Sequence, residues 1–499
     1  MNPLKRLAKE TAVYGLSSIV GRLLNYFLVP LYTRIFLPNE YGVVTELYAY
    51  ASFLMVLLTF GMETTFFRFS ESREEKDRVY ATSLIPLLAV NLAFVVLGVL
   101  GSPWLADKLH YGQHADYLIY FVIIVGLDAV TALPFARLRQ QHRALRFATL
   151  KLVTIGVNIA LNLFFLMLCP YLLKQGISWV PAIYDPSFGI GYVFLSNLVA
   201  SAVGALLLFG DLFRFRVEFD RNLFRQMFVY AMPLLLAGMA GMVNETLDRI
   251  LLRYLLVVPS GVADTHAYVM AQIGIYGANY KVSILMTLFI QTFRYAAEPF
   301  FFSQARQTDS RQLYSRVMTL FILLGLTIFL GIMLYIDIVK YFIGAKFYPG
   351  IGIVPVLLLA NLCLGIIFNL SIWYKLNNLT KFGAYITIFG AVVTITANWV
   401  LIPLMGYPGA AWATFICYFL MMVLSYVLGQ KYYHINYDLQ KIAGYAAMAF
   451  AIYGISLLRI FPARSATLAL NSLLFFSFIA LVFWREKLFR AAAGNPAID

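Results

Sequence analysis

The chain has 499 residues, of which 61% are hydrophobic and only 12% charged, and its mean hydropathy is +0.78. A water-soluble domain has no interior large enough for that much apolar sequence, so a polytopic membrane protein is expected and the soluble enzyme classes are excluded. The net charge of +14 would suit a nucleic-acid partner, but its distribution along the chain assigns it to membrane orientation instead.

A spanning helix needs about 20 mostly apolar residues. About fourteen such segments follow one another: 11–36, 43–68, 80–101, 116–137, 147–168, 188–210, 227–256, 273–297, 313–336, 353–374, 383–402, 409–430, 442–460 and 466–484. Alternating short strands of the outer-membrane barrel type are absent from the sequence. Segment one follows Lys5, Arg6 and Lys9 and so imitates a secretory leader. Its length, its internal Arg22 and its lack of a small-residue cleavage site mark it as a retained helix.

Segment one also carries Arg34, and segment two carries Glu46 and Glu63. The connection after segment three holds Asp107, His110 and His114. The two histidines are spaced i,i+4, but no clear further ligand accompanies them, so no metal site is expected. Segment four carries Asp128, either a structural hydrogen-bonding group or a proton or sodium site. Segment seven carries Glu245, Asp248, Arg249 and Arg253, and segment eight carries Lys281 and Arg294. Beyond these the deep positions are almost bare. Pro30, Pro86, Pro134, Pro233 and Pro355 are expected to kink their helices. Cys169, Cys363 and Cys417 form neither a disulfide framework nor a metal spacing.

A charge at the bilayer centre costs about 2.5–3.5 kcal/mol on insertion scales, so ten charges on four segments need partners, a cavity or a route to water. Two readings stand side by side. Glu245 with Arg249, and Arg294 with Glu298, have the i,i+4 spacing of simple neutralising pairs. Arg34, Glu46 and Arg253 lie near segment ends, from which long side chains reach water. Arg22 and Lys281 have no acid at helical spacing and pair only across helices, for instance with Glu63, Glu245 or Asp248. The functional reading makes Arg22, Arg249, Arg253, Lys281 and Arg294 the cations of one polar chamber, with Glu63, Asp128, Glu245 and Asp248 as pairing or ion-coupling acids. Guanidinium and ammonium groups there suit a phosphate. Tyr26, Tyr276 and Tyr280 are candidates to stack on sugar rings.

Of the 38 lysines and arginines, 26 fall on segments that share one side if the N-terminus is cytoplasmic, and five fall on the other. That asymmetry places both termini in the cytoplasm and leaves nucleic-acid binding unsupported. Short correspondences recur six segments apart: Arg34-Ile35-Phe36-Leu37 with Arg253-Tyr254-Leu255-Leu256, and Asn162-Leu163-Phe164 with Asn398-Trp399-Val400. Six crossings preserve orientation, so the fold class expected is an all-α polytopic membrane protein with two pseudo-symmetric six-helix lobes. The lobes are 1–222 and 223–430, and 431–499 adds two C-terminal helices and a cytoplasmic tail. No Walker loop, dinucleotide fingerprint or nucleophile elbow occurs, no loop can hold a catalytic module, and no cofactor is expected. A transporter, not an enzyme, is the expectation.

The stretch Leu247-Asp248-Arg249-Ile250-Leu251-Leu252, with Gly274-Ile275-Tyr276-Gly277-Ala278-Asn279-Tyr280-Lys281, resembles the seventh-to-eighth helix signature of polysaccharide biosynthesis flippases. Asn398-Trp399-Val400-Leu401-Ile402-Pro403 with Gly406-Tyr407-Pro408-Gly409, and Tyr32-Thr33-Arg34-Ile35-Phe36 to Glu40-Tyr41-Gly42, are similar to other parts of that family. The resemblance covers most of the chain and is weakest in the last two segments. It points to the Wzx-type flippases of the multidrug/oligosaccharidyl-lipid/polysaccharide (MOP) exporter superfamily. It implies helices one, two, seven and eight around a central cavity, and an undecaprenyl-pyrophosphate-linked oligosaccharide substrate in a bacterial inner membrane. Membrane lipids and the polysaccharide polymerase machinery are the implied partners. Lipid II flippases and cation-coupled drug antiporters share the fold, although an antiporter for cationic drugs calls for an acidic chamber. A membrane glycosyl polymerase or ligase would need a large outer loop. The longer connection at 257–272 departs from the family pattern.

Overall fold

The computed structural model of the chain describes residues 19–71, 76–112, 114–213, 218–304, 309–458 and 460–486. Lys5, Arg6, Lys9 and the tail after residue 486 lie outside the described residues, as does the side chain of Glu298 and with it the expected Arg294–Glu298 pair. All regular structure among the described residues is helical. Eleven helices are long and apolar enough to cross a bilayer, or twelve when the bent pair Thr265–Val282 and Ile284–Phe302 is one span. Two of the fourteen expected segments are not in that count. The beginning of segment one lies outside the described residues, and Leu439–Leu457 has Gln440 and Lys441 diluting its first turn.

By packing the chain divides into two compact units, Met1–Gly277 with Asn398–Tyr407, and Ala278–Ala397 with Pro408–Asp499. The first unit is built from Leu28–Ile35 (α1), Pro38–Thr59 (α2), Met62–Glu71 (α3), Lys76–Lys108 (α4), Ala115–Gln140 (α5), Ala144–Leu163 (α6), Gly191–Phe213 (α7), Arg221–Leu255 (α8) and the larger part of Thr265–Val282 (α9). Helix α5 is its hub, packed by α4, α7 and α2, while α8 lies along α2, α3 and α4. Contact density therefore groups α8 with the helices before it, whereas the sequence repeat assigns it to the second lobe. A core of Phe60, Met62, Phe66, Tyr80, Leu133 and Met227 joins α3, α4, α5 and α8. The opposite face of α4 presents Leu92, Val96, Leu97, Leu100 and Trp104 outward, the composition expected of a lipid-facing surface.

The second unit contains Ile284–Gln304 (α10), Ser310–Met333 (α11), Val354–Leu370 (α12), Lys381–Met405 (α13), Tyr407–Tyr432 (α14), Leu439–Leu457 (α15) and Arg464–Arg485 (α16). Helix α11 packs on α10, α12, α15 and α16. Polar pins fix the C-terminal pair to it. Asn471 Nδ2 donates to the Leu334 carbonyl at 2.7 Å, and Tyr335 Oη donates to Ser472 Oγ at 2.8 Å. Glu486 accepts from Tyr445 at 2.7 Å and pairs with Lys441 at 2.8 Å.

Of the five prolines expected to kink their helices, Pro30 and Pro355 stand in the first turns of Leu28–Ile35 and Val354–Leu370, just after a break, but the other three do not interrupt theirs. Pro86, Pro103, Pro134, Pro233 and Pro403 all sit inside continuous helices. The span Pro38–Glu71 is instead interrupted at Phe60 and Gly61, both in the left-handed region with φ of +32° and +71°, between α2 and α3. Helices α9 and α10 meet at a 47° bend at Ser283, and α6 continues through a π-helical turn, Phe164–Leu168, into Cys169–Lys174. Much of the expected loop at 257–272 is helical, because α9 begins at Thr265.

Candidate functional site

Four clusters of charged side chains among the described residues of the first unit bear on the site, and most of their members are paired. Glu46 comes from the buried face of α2, in line with Gly42 and Ala49, and its side chain is completely buried. Arg253, in the last turn of α8, meets it at 2.5 Å. Tyr111, on the connection between α4 and α5, donates to the same carboxylate oxygen at 2.5 Å, and Arg253 also donates to the Leu109 carbonyl at 2.5 Å. Burial pushes the Tyr111 phenol well above its usual pKa, with the Glu46 carboxylate adding to the effect, so it stays a neutral donor. The expectation that Glu46 and Arg253 reach water from the segment ends is thus corrected, since each finds its partner inside the protein.

One turn and more along α8, Asp248 accepts from the Arg249 guanidinium at 3.0 Å, from the Arg249 backbone N–H at 2.8 Å, and from the Tyr276 hydroxyl. The expected side-chain pair of Glu245 and Arg249 is not formed. Arg249 donates to the Glu245 backbone carbonyl at 2.6 Å, and the Glu245 side chain is exposed. Tyr276 is fully buried and committed to Asp248, which corrects its candidacy as a sugar platform.

The third cluster holds Asp128, which accepts from Ser201 Oγ of α7 at 2.8 Å. Lys151 of α6 belongs to this polar layer through its attraction to Asp128, with its ammonium 4.1 Å from the centre of the Phe135 ring. In the fourth cluster Glu63 pairs with Arg139 at 2.7 Å, half-exposed. Asp211 on α7 joins Arg143 at 3.3 Å and Arg146 at 2.5 Å. That acid escaped sequence reasoning because it stands at a segment end, where a lone carboxylate looks solvated.

Arg22 is different. It is exposed on the helical stretch 19–26 and has no hydrogen-bond or ion-pair partner among the described residues. Arg34 is also exposed and turns back to its own helix, donating to the Pro30 carbonyl at 3.0 Å. In the second unit Lys281 is half-buried in the last turn of α9. Arg294 of α10 lies 5.0 Å from the Phe368 ring centre, on a half-open pocket that also includes Asn369 and Lys375. No group of three His, Cys, Asp or Glu suited to a metal occurs among the described residues. His110 stacks on His266 and His114 on Tyr117.

The family model for polysaccharide biosynthesis proteins matches residues 7–304, well over half the chain, including α2, α8, α9 and every charged cluster described above. The chain belongs to the polysaccharide biosynthesis protein family. A search of curated proteins finds no match. Among solved structures, the lipid II flippase MurJ in an inward closed conformation is similar over 95% of this chain and 99% of its own, with a TM-score of 0.68 at 13% identity. An inward-facing multidrug-resistance MATE transporter of the MOP superfamily is similar over 85% of this chain and 97% of its own, with a TM-score of 0.64 at 14% identity. A MOP superfamily transporter from Pyrococcus furiosus, described as having a binding pocket of reverse polarity, has a TM-score of 0.55 at 14% identity over 85% of this chain and 95% of its own. At these identities the likeness is one of fold. This member of the polysaccharide biosynthesis family is a multi-pass membrane protein with the MOP transporter fold.

Proposed function

We propose that the protein is a flippase that carries undecaprenyl-pyrophosphate-linked oligosaccharide repeat units from the inner to the outer leaflet of a bacterial inner membrane, for O-antigen or exopolysaccharide synthesis. The observation that carries this reading is the family match over residues 7–304, joined to a basic excess in helices that must lie in lipid. The fourteen-span topology with both termini cytoplasmic and the two-lobe division at 222/223 belong to the same proposal. Two lobes rocking about a central chamber would expose it to each side in turn, with no covalent chemistry.

The pairing of the cations supports a narrower choice among the proposed substrate-binding residues. Arg249 and Arg253 are held by Asp248 and Glu46, so their charge is spent within the first unit. The pyrophosphate role falls first on Arg22, with Lys281 and Arg294 assisting. Asp128 is the acid best placed for coupling to protons or sodium, because it is half-satisfied by a neutral hydroxyl and has a cationic neighbour in Lys151.

The test is polymer export in a deletion strain complemented with the wild type, Arg22→Ala or Arg22→Lys at matched protein levels. A hydrogen bond to a charged group contributes about 1.5–3 kcal/mol, so Arg22→Ala should lower export about 10- to 100-fold, with lipid-linked repeat units accumulating inside. Arg22→Lys should retain part of the activity through its charge. A deletion that leaves polysaccharide intact but blocks cell-wall synthesis would transfer the same prenyl-pyrophosphate chemistry to lipid II.

A further inference from the structure

Glu46 and Arg253 leave an unexplained feature once the binding cations are assigned. The pair is buried and neutral, so it attracts no anion. A buried pair is also a poor staple, because two apolar residues of similar volume commonly hold a fold as well or better. Its surroundings are incompletely satisfied, with Glu46 Oε1 and His266 Nε2 both buried without a hydrogen-bond partner. Tyr50 and Tyr254 bond to each other at 3.1 Å beside it, and the stacked rings of His110 and His266 close the cluster.

Next to this cluster α2 and α9 touch backbone to backbone. A Cβ at Gly42 would strike the Met270 carbonyl, and one at Gly274 would strike the Pro38 carbonyl. A Cβ at Gly277 would stand 3.1 Å from that of Thr45. Gly42, Thr45, Glu46 and Ala49 share one face of α2, so the glycine contact and the ion pair belong to one surface. Surfaces that meet through bare backbone have no interdigitated side chains to extract on parting. The polar groups of the cluster would gain water as they separate.

We propose that Glu46–Arg253, with the Gly42–Gly274 contact beside it, is a latch on the outer ends of α2, α8 and α9, closed in this structure, that must part once in every transport cycle. The proposal rests on the flippase reading for its cycle. Glu46 and Arg253 are positioning residues in it: they hold a helix end shut and do not touch substrate. When the latch opens, both charges become hydrated where the chamber meets the outer aqueous phase. When it closes, the two charges neutralise each other again and shed that water.

The test uses the full chain with Cys169, Cys363 and Cys417 replaced by alanine, carrying Thr45→Cys and Gly277→Cys. A Cβ added at Gly277 would stand 3.1 Å from Thr45 Cβ, a few tenths of an ångström inside the usual disulfide range of about 3.5–4.5 Å, so a small shift admits the bridge. Oxidative cross-linking should lower polymer export at least tenfold, and a reductant should restore it. Cross-linked protein that exports at the rate of the reduced form would overturn the latch. A second measurement does not need export. Ala49→Cys, one turn deeper on the same face, is labelled from outside with a membrane-impermeant maleimide, with and without Glu46→Gln. Labelling at least fivefold faster with Glu46→Gln is expected, and equal rates overturn the proposal. If the wild type fails to restore export, the flippase reading fails, while the labelling arm still reads the latch.

Discussion

Single residues carry the contrast between what charge spacing predicts and what the fold does with it. The ten charges on segments one, two, seven and eight were legible because so few others interrupt the apolar sequence. Their partners were not, because Glu46 and Arg253 are 207 positions apart and only the packing of α2 on α8 brings them to 2.5 Å. Within one helix the spacing misled as well: Arg249 chooses its neighbour Asp248 over Glu245, since Asp248 is anchored by Tyr276 on α9. The buried pair makes a stability prediction separate from transport. Arg253→Met alone strands a buried carboxylate and should cost about 3–5 kcal/mol, whereas Glu46→Leu with Arg253→Met should be near neutral or better. Thermal unfolding in detergent, read as a double-mutant cycle, measures this. Additive losses would show that the two side chains do not interact energetically. A stable double variant that fails to export would show that the pair serves movement, not folding.

At the scale of elements, most spans were legible from hydropathy, since the bilayer sets a minimum length of about 20 apolar residues, but their ends were not: α9 begins at 265 where 273 was expected. Where they break was not legible either. Prolines marked the expected kinks, yet Pro86, Pro134 and Pro233 are absorbed in continuous helices, as neighbouring helices can re-satisfy the freed backbone groups. The break between α2 and α3 instead uses Phe60 and Gly61 at positive φ, a conformation that only packing can enforce on phenylalanine. Gly61 is required there by its φ of +71° and by its neighbours, since an added Cβ would sit 3.2 Å from Leu234 Cβ and 3.3 Å from the Ala231 carbonyl. Gly101, inside α4, has nothing within 4 Å of the same position. Gly61→Ala should therefore lower stability by about 1–2 kcal/mol or more, the cost of a left-handed residue with a Cβ. Gly101→Ala should leave it unchanged or raise it by up to about 1 kcal/mol through helix propensity. Equal effects of the two substitutions on the unfolding midpoint would refute the strain assigned to the turn.

For the whole molecule the undecided quantity is the number of crossings, and it can be settled by parity. The described helices supply eleven spans, or twelve with the bent α9–α10 pair. Segment one, which carries Arg22 into α1, adds a thirteenth if it crosses, and α15 adds a fourteenth if Leu439–Leu457 crosses despite Gln440 and Lys441. Lys441 need not prevent crossing, because its ammonium meets Glu486 at 2.8 Å, the residue just after the end of α16. That pair places the start of α15 level with the end of α16, as two antiparallel spans of similar length require. Helix α15 also packs along α11, where Phe450 and Tyr453 meet the buried Phe329 ring in T-shaped contacts, as two neighbouring spans do. Fourteen crossings return the C-terminus to the side of the N-terminus, and thirteen leave it opposite. On the proposed topology the shared side is the cytoplasm, which the charge asymmetry of the loops favours. Reporter fusions after residue 434 and after residue 486 should therefore both read cytoplasmic, and one after residue 461 should read external. Opposite readings at 434 and 486 would remove α15 from the membrane and reverse the side on which α16 ends.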